Sequence, residues 1–520
     1  MSVRHSTVRF TARNKLAACV AAVVAAGAAD VASANPARQD LPVLAALDAP
    51  HLYSAPALAL LKAPATKSAA RPVVHSAGTR SLTASTVTSC ADDDGFDTLR
   101  HAVTTADPSS TIDLSGLACS KITLTGGAIS VDVSDLTIIG PGSGALTIDA
   151  NGTDRVFTHS GIGTLTLTGL TVANGKFAAD QAYGGCIFSK GSVTLEDAVV
   201  TGCSAIGQTS AVGGGMFVYE TIDMQNSTLS NNLADGQNGA ADKLNAAAGA
   251  ACALQAMTMT DSIVSGNTVQ VEIGHSSAGA ILSRSFTAKY STLTGNKAVA
   301  EGTLTNYSKA GAVYARKVFI RGSTLDHNKA DSIGALFIDY ADNTSYGNIL
   351  QSTISSNTGN LAFGAVVAKA TLNVVNSTIA FNTAGSVGGP ALGIYTGVTA
   401  TIESTIIADN SPQDVDGGGV IGGSHDLIKN AGTHVTVPAG TFTLDPQLGP
   451  LQLNGGRTRT HALTADSPAI EWGSNAASLT TDQRGTTYPR VVGAKPDIGA
   501  VEFDADHVFG NSFEGNPPLS

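Results

Sequence analysis

Between about residues 120 and 410 the chain alternates apolar and polar positions in very short runs. Examples are Val193-Thr194-Leu195, Ile222-Asp223-Met224, Met257-Thr258-Met259, Val318-Phe319-Ile320 and Leu372-Asn373-Val374. Successive side chains of a strand point to opposite faces, so each run predicts a short strand with one buried face. Two further phrases recur with the strands. One is Gly-small-apolar-apolar: GCIF at 185–188, GGMF at 214–217, GAIL at 279–282, GAVY at 311–314, GALF at 334–337 and GAVV at 364–367. The other is S-T-apolar-x-x-N, registered on Ser227, Ser262, Ser291, Ser323, Ser352, Ser377 and Ser404, which lie 35, 29, 32, 29, 25 and 27 residues apart. A period of this length carried by strands and not helices predicts a solenoid. The expected fold is all-β: a right-handed parallel β-helix of about ten coils over 120–410, three strands to a turn.

The sixth place of the S-T phrase holds Asn174, Asn232, Asn267, Asn296, Asn328, Asn357 and Asn382, with Cys203 substituting once and Asp409 closing the series. Coils stacked at the ~4.8 Å strand spacing would place these amides one above another, each donating to the next. Glycosylation or ligand binding by Asn requires no such register, so the phrase reads as scaffold.

The flanks differ in pattern. FDTLRHAVTTA at 96–106 sets Phe96, Leu99 and Val103 on one helical face, predicting a capping helix within an amino-terminal cap at 85–119. Residues 35–84 are rich in Ala and Pro and read as a linker. Residues 1–34 carry Arg4, Arg9, Arg13 and Lys15, an apolar run from Leu16 to Ala29, and Ala32-Ser33-Ala34, the order of a secretory signal cleaved after Ala34. A bilayer span needs ~20 apolar residues, so no transmembrane segment is expected after cleavage. Residues 411–503 form a non-repeating carboxy-terminal module and 504–520 a tail. The module is expected to cover the open end of the coil with Leu448, Leu451, Leu453, Ile470, Trp472 and Ile498, Trp472 serving packing and not a sugar platform.

Composition narrows the function. Charged residues make up 14% of the 520, and Gly numbers 57. Without residues 1–34 the chain has 26 Lys and Arg against 40 Asp and Glu, a balance that excludes nucleic acid as a partner. Five cysteines follow residue 34. Cys90 and Cys119 flank the cap and form one expected disulfide; Cys186 and Cys203 lie in one coil and form a second; Cys252 is left over.

GGCIF at 184–188 and GGGMF at 213–217, with the S-T-I-x-x-N phrases, resemble exported right-handed parallel β-helix proteins with a pectate-lyase-like coil. They are also similar in part to the repeats of chlamydial polymorphic outer membrane proteins, without the F-x-x-N partner motif. DPQLGPLQLNGG, SPAI and DIGAVE, between 445 and 502, resemble the terminal module of bacterial "choice-of-anchor" surface proteins. VFGNSFE at 508–514 resembles the F-x-N-G-F-E endings of some exported proteobacterial proteins, with Ser512 where Gly is usual. The resemblance implies a secreted or cell-surface protein, associated with the outer membrane of a Gram-negative-like bacterium.

Pectate-lyase-like coils often carry carbohydrate enzymes. A lyase needs carboxylates for a cation such as Ca²⁺ and an Arg or Lys to take a proton. The local supply is Arg316, Lys317, Arg321, Asp326, His327, Lys329, Asp331 and Asp339, from successive corners with no recurring carboxylate pair. The Arg-x-Pro-x-x-Arg signature of pectate lyases is absent, as are the paired Asp, G-H-G and R-x-K motifs of polygalacturonases. The acidic run Asp92-Asp93-Asp94 reads as a solvated turn. The histidines are scattered without metal-ligand spacing, and no cofactor is implied outside the lyase reading. The function expected is therefore a non-enzymatic surface solenoid that is structural or binds glycans or cell-surface polymers. The alternative is a polysaccharide lyase or glycoside hydrolase acting on acidic glycans.

Overall fold

A computed structural model describes residues 84–238, 244–300, 308–340, 342–385 and 388–504. The expected leader, nearly all of the linker, and the tail beyond Asp504 lie outside the described residues.

The chain is a parallel β-helix with three sheets. The short face is a ladder of twelve strands, from Lys121–Thr123 to Leu427–Ile428. The long face contributes two strand segments to most turns, for example Ile187–Ser189 and Ser192–Glu196. The third face is a ladder of ten strands. The coil thus runs beyond residue 410 and is slightly longer than expected. Its first turns carry neither recurring phrase and are invisible to a search for them.

Register explains the alternation. Leu165, Val193, Ile222, Met257, Phe286 and Val318 are paired in succession and stack inside the coil, all buried. Each such side chain contributes roughly 1.5–3 kcal/mol by leaving water. The glycine that opens each Gly-led phrase before Gly364 is required by close approach. A Cβ on Gly311 would strike the carbonyl oxygen of Gly334, and one on Gly334 that of Gly364.

The S-T phrase is a strand held between two left-handed corners. Gln351 (φ 46°) precedes Ser352, and Ser356 (φ 57°) precedes Asn357; Asn376 and Phe381 repeat the pair one turn on. Each corner leaves backbone groups without strand partners, and a side-chain ladder satisfies them. Asn232, Asn267, Asn296, Asn328, Asn357 and Asn382 are buried; each Nδ2 donates to the Oδ1 of the next, which also accepts the preceding residue's backbone N–H. The series ends on Asn410, whose N–H and Nδ2 both donate to Asp414.

Two assignments of the sequence reading are corrected by the pairing. Thr201 pairs with Ala173, which aligns Cys203 with Gly175, so Asn174 sits one place early, exposed on the left-handed corner (φ 56°). Ile406 pairs with Thr378, so Thr405, not Ser404, opens the last phrase; Asp409 is the corner and Asn410 the ladder residue. Asn and Asp are favoured at both places, by tolerance of positive φ at one and by hydrogen bonding at the other.

A second ladder joins the first residues of the phrase. The backbone N–H groups of Ser227, Ser262, Ser291, Ser323 and Ser352 donate to the hydroxyl of the next Ser, and Ser377 N–H donates to Thr405 Oγ1. Thr405 N–H then donates to buried Asp426.

At the amino-terminal end a helix (α1, Leu99–Thr104) is capped by Thr98 and buries Leu99, Ala102 and Val103. Phe96 lies before the helix and is 90% exposed, so the expected three-residue face is only two residues deep. Asp92 is not in a solvated turn. Its carboxylate takes Arg100 Nε at 2.7 Å and the amide of Gly126 at 2.9 Å, while Arg100 reaches the carbonyls of Gly127 and Ala128. Burial works against the Asp92 charge, but these bonds and the Arg100 charge outweigh it and lower its pKa. Disulfides join Cys90 to Cys119 and Cys186 to Cys203, with Cα separations of 6.3 and 5.4 Å; Cys252 is a buried free thiol.

The far end is closed differently from the expectation. Ala431, Val435 and Val437 pack on the main core beyond the last turn. Residues from 445 onward instead run back along the short face. Arg459 donates to Thr294 and Asp326, Gln483 bonds Thr324 and Thr353, His461 meets Ser355, and Ala500 N–H donates to Thr378. Leu463, Ala469 and Ile498 form a small core with Ile406, Ala408 and Leu427, which Leu448 and Ile470 flank. Leu453 and Trp472 are more than half exposed, Trp472 with its edge against Phe442. Apart from Asp326, which Arg459 pairs, the outward short-face residues here are apolar or hydroxylic, which suits a side-on cover.

Candidate functional site

Each Gly-led phrase places its third residue inward and its fourth outward. The fourth residues Phe188, Phe217, Cys252, Leu282, Tyr314, Phe337 and Val367 stack in register. Most are nonetheless buried, because other side chains lie over them: Tyr183 over Phe217 at 5.0 Å, and Lys309 Nζ within 5.6 and 6.0 Å of the Tyr314 and Phe337 rings. Burial among these apolar side chains drives the Cys252 thiol up to about 12.

Two residues further on, the sixth residue of the phrase points outward again, at the rim of this covered column. The sixth places hold Lys190, Tyr219, Leu254, Arg284, Arg316, Asp339, Lys369 and Tyr395. Backbone bonds keep them in register: Arg316 N–H to Arg284 O, Asp339 to Ala315, Lys369 to Ile338 and Tyr395 to Ala368. Lys369 Nζ lies 4.4 Å from the Tyr395 ring centre and 5.7 Å from that of Phe337. Tyr314 donates its hydroxyl to Asp339 Oδ2 at 2.6 Å.

The electrostatics are cationic. Burial lowers the Lys309 ammonium to about 8, with Asp339 opposing the shift and Lys369 adding to it. Burial also lowers Arg284, and Arg316 adds to that shift while Asp342 opposes it. Lys309, Arg284, Arg316, Lys317 and Lys369 thus share one neighbourhood with Asp339 and Asp342, in a chain whose formal net charge is −11.

The candidates named from the sequence divide among three places. Arg316 and Asp339 belong to this row, and Lys317 begins the adjoining strand. Arg321 ends that strand at the corner facing the carboxy-terminal module. Asp326 is fully buried on the short face and bound to Arg459 at 2.9 Å, which is structural. His327 is an exposed left-handed corner (φ 54°), Lys329 an exposed strand residue, and Asp331 is held by Ser308. Arg284, Lys309, Tyr314 and Lys369 were missed. The signal was present in GAILSR, GAVYAR, GALFID and GAVVAK, which repeat a polar residue at the sixth place.

No protein-family model matches the chain, and no curated protein matches it. Among solved structures, the crystal structure of pectate lyase Pel9A is similar over 81% of this chain and 98% of that chain, at 12% identity and a TM-score of 0.40. The fold described above rests on the strand pairing and not on that likeness. Among the described residues no helix is long and apolar enough to cross a membrane, and no cluster of three or more His, Cys, Asp or Glu is placed to hold a metal ion.

Proposed function

We propose that the protein is an exported, non-enzymatic solenoid that binds acidic polysaccharides along the sixth-residue row. The observation that carries this reading is the alignment of Arg284, Arg316 and Lys369 on consecutive or near-consecutive turns beside Tyr314, Phe337 and Tyr395. A guanidinium donates two parallel N–H bonds to a carboxylate, and the Lys369 ammonium adds a point charge. Turns repeated every ~4.8 Å present these groups as a series, so weak contacts add along a polymer. The two disulfides favour export. Under the resemblance noted above, the module after residue 445 belongs to a surface-displayed chain.

A polysaccharide lyase or hydrolase is the second reading, favoured by Lys309, a buried lysine lowered to about 8 beside Tyr314 and Asp339. Ca²⁺, which a lyase reading brings, takes six to eight oxygen ligands. Asp339 and Asp342, the carboxylates of this neighbourhood, supply too few to fill that shell.

Affinity electrophoresis in polygalacturonate, alginate and neutral starch tests the proposal. Retention is expected in the acidic gels alone, weakening at least tenfold in Arg284→Ala/Arg316→Ala/Lys369→Ala. Equal retention in starch, or an unaffected triple variant, would overturn it. Ultraviolet-absorbing unsaturated products, with or without Ca²⁺, would establish the lyase reading instead.

A further inference from the structure

A cleft of about 440 Å³ lies where the carboxy-terminal module meets the corner between the long and short faces. Its coil side is Asp261, Tyr290, Arg321 and Gly322, and its module side includes Arg457, Arg484 and the hydroxyls of Thr480, Thr481 and Thr486. It is separate from the sixth-residue row.

Three observations single it out. First, the arginines are unequally used. Arg457 pairs with Asp261 at 2.7 Å, and Arg484 with Asp482 at 2.6 Å. Arg321 makes no side-chain hydrogen bond or ion pair among the described residues, although its Nε is buried. A buried guanidinium nitrogen without an acceptor is expensive unless something else supplies one.

Second, Tyr290 occupies a left-handed corner (φ 51°). The residues at the same place on other turns are Asn226, Asp261, Gly322, Gln351 and Asn376. A bulky aromatic in that conformation is strained, and residues so held cluster at binding sites. Third, the ring lies across Gly322, where a Cβ would overlap it. The next turn therefore has no side chain at the one place that would displace the ring from the cleft.

We propose that this cleft binds one carboxylate-bearing sugar unit, its carboxylate on Arg321 and its ring on Tyr290, with the threonine hydroxyls meeting sugar hydroxyls. The carboxylate takes two parallel N–H bonds from the terminal nitrogens of Arg321, which no group pairs among the described residues, and the aromatic face meets the sugar. The volume is ample for a monosaccharide in a pocket open to solvent.

Isothermal titration of the full chain with galacturonate, galactose and acetate tests the site. Galacturonate is expected to bind with one-to-one stoichiometry, at least tenfold more tightly than either galactose or acetate. Arg321→Gln should weaken it at least tenfold, and so should Tyr290→Leu, which removes the ring without filling the cleft. The Arg284→Ala/Arg316→Ala/Lys369→Ala variant should bind galacturonate normally, so failure of the polymer reading and failure of this one are separable. Thermal unfolding of each variant shows whether it is folded. Absence of galacturonate binding, binding no tighter than acetate, or undiminished binding by folded Arg321→Gln would overturn the proposal.

Discussion

A single amide in this coil serves two turns at once, which makes the ladder residues sensitive and their corner neighbours tolerant. Asn328→Ala would strip an acceptor from the N–H and Nδ2 of Asn296 and a donor from Leu293 O, all buried. Urea unfolding should show a loss of about 2–4 kcal/mol. Asn174→Gly, on an exposed corner with positive φ, should change stability by no more than about 0.5 kcal/mol. The sequence could not separate these two asparagines, because both places favour Asn for different physical reasons and only strand register distinguishes them. The ladder ends raise a second residue-scale prediction. Burial pushes Asp426 up to about 8, Glu403 adding to the shift against the Thr405 N–H bond. A carboxyl raised in the folded chain keeps its proton where the unfolded chain has lost it. Stability contributed at this site is therefore greatest below about pH 4 and declines as pH rises to about 8. Asp426→Asn keeps the acceptor for Thr405 and removes the titration. Its unfolding free energy should exceed the parent's by more than about 1 kcal/mol above pH 8 and converge with it near pH 4.

At the scale of the element, what was legible was whatever repeats with a fixed side-chain period. Strand alternation, the Gly-led phrase and the Asn series all follow from stacking one turn on another, and they define the coil. The outward row was legible in principle, since the sixth residues recur at the same offset, but their chemistry varies from Lys to Tyr to Asp and no residue-type motif marks them. The disulfides staple elements rather than the whole coil. Cys186 and Cys203 are 17 residues apart, and Cys90 and Cys119 are 29 apart and hold the cap. Reduction should therefore remove about 3 kcal/mol per bridge by freeing loops of that length in the unfolded chain. Calorimetry with and without reductant would read this as a lower Tm, and loss of the Cys90–Cys119 bridge should loosen α1 before the central turns. Cys252, sealed between Phe217 and Leu282 with its thiol pushed up to about 12, should resist alkylation until the coil opens.

For the whole molecule, the arrangement of the carboxy-terminal module was hidden from the sequence because its apolar residues are equally suited to an end and to a flank. The decisive residues are on the coil: Thr324, Thr353, Ser355 and Thr378 point outward, each bonded to a module group. Since residues 431–437 already close the last turn, removal of everything from 445 onward leaves the end covered. It uncovers Ile406, Ala408 and Leu427 on the side and opens Asp326 to water as Arg459 leaves; with the module in place, Asp326 is buried and paired with Arg459. An unpaired carboxylate in such a setting costs about 3–5 kcal/mol, so Arg459→Met alone should already lower stability. The chain ending at 444 should keep its β-sheet circular dichroism, unfold at lower temperature and associate side to side through the exposed apolar patch. A chain ending at 428 also loses the end cover, and its bare last turn should pair with other molecules end to end, forming filaments. Sedimentation and electron microscopy distinguish compact lateral oligomers from filaments. A chain ending at 444 that stays monomeric with the parent's Tm would show that the flank contacts do not hold the coil together and that the module's position serves binding alone.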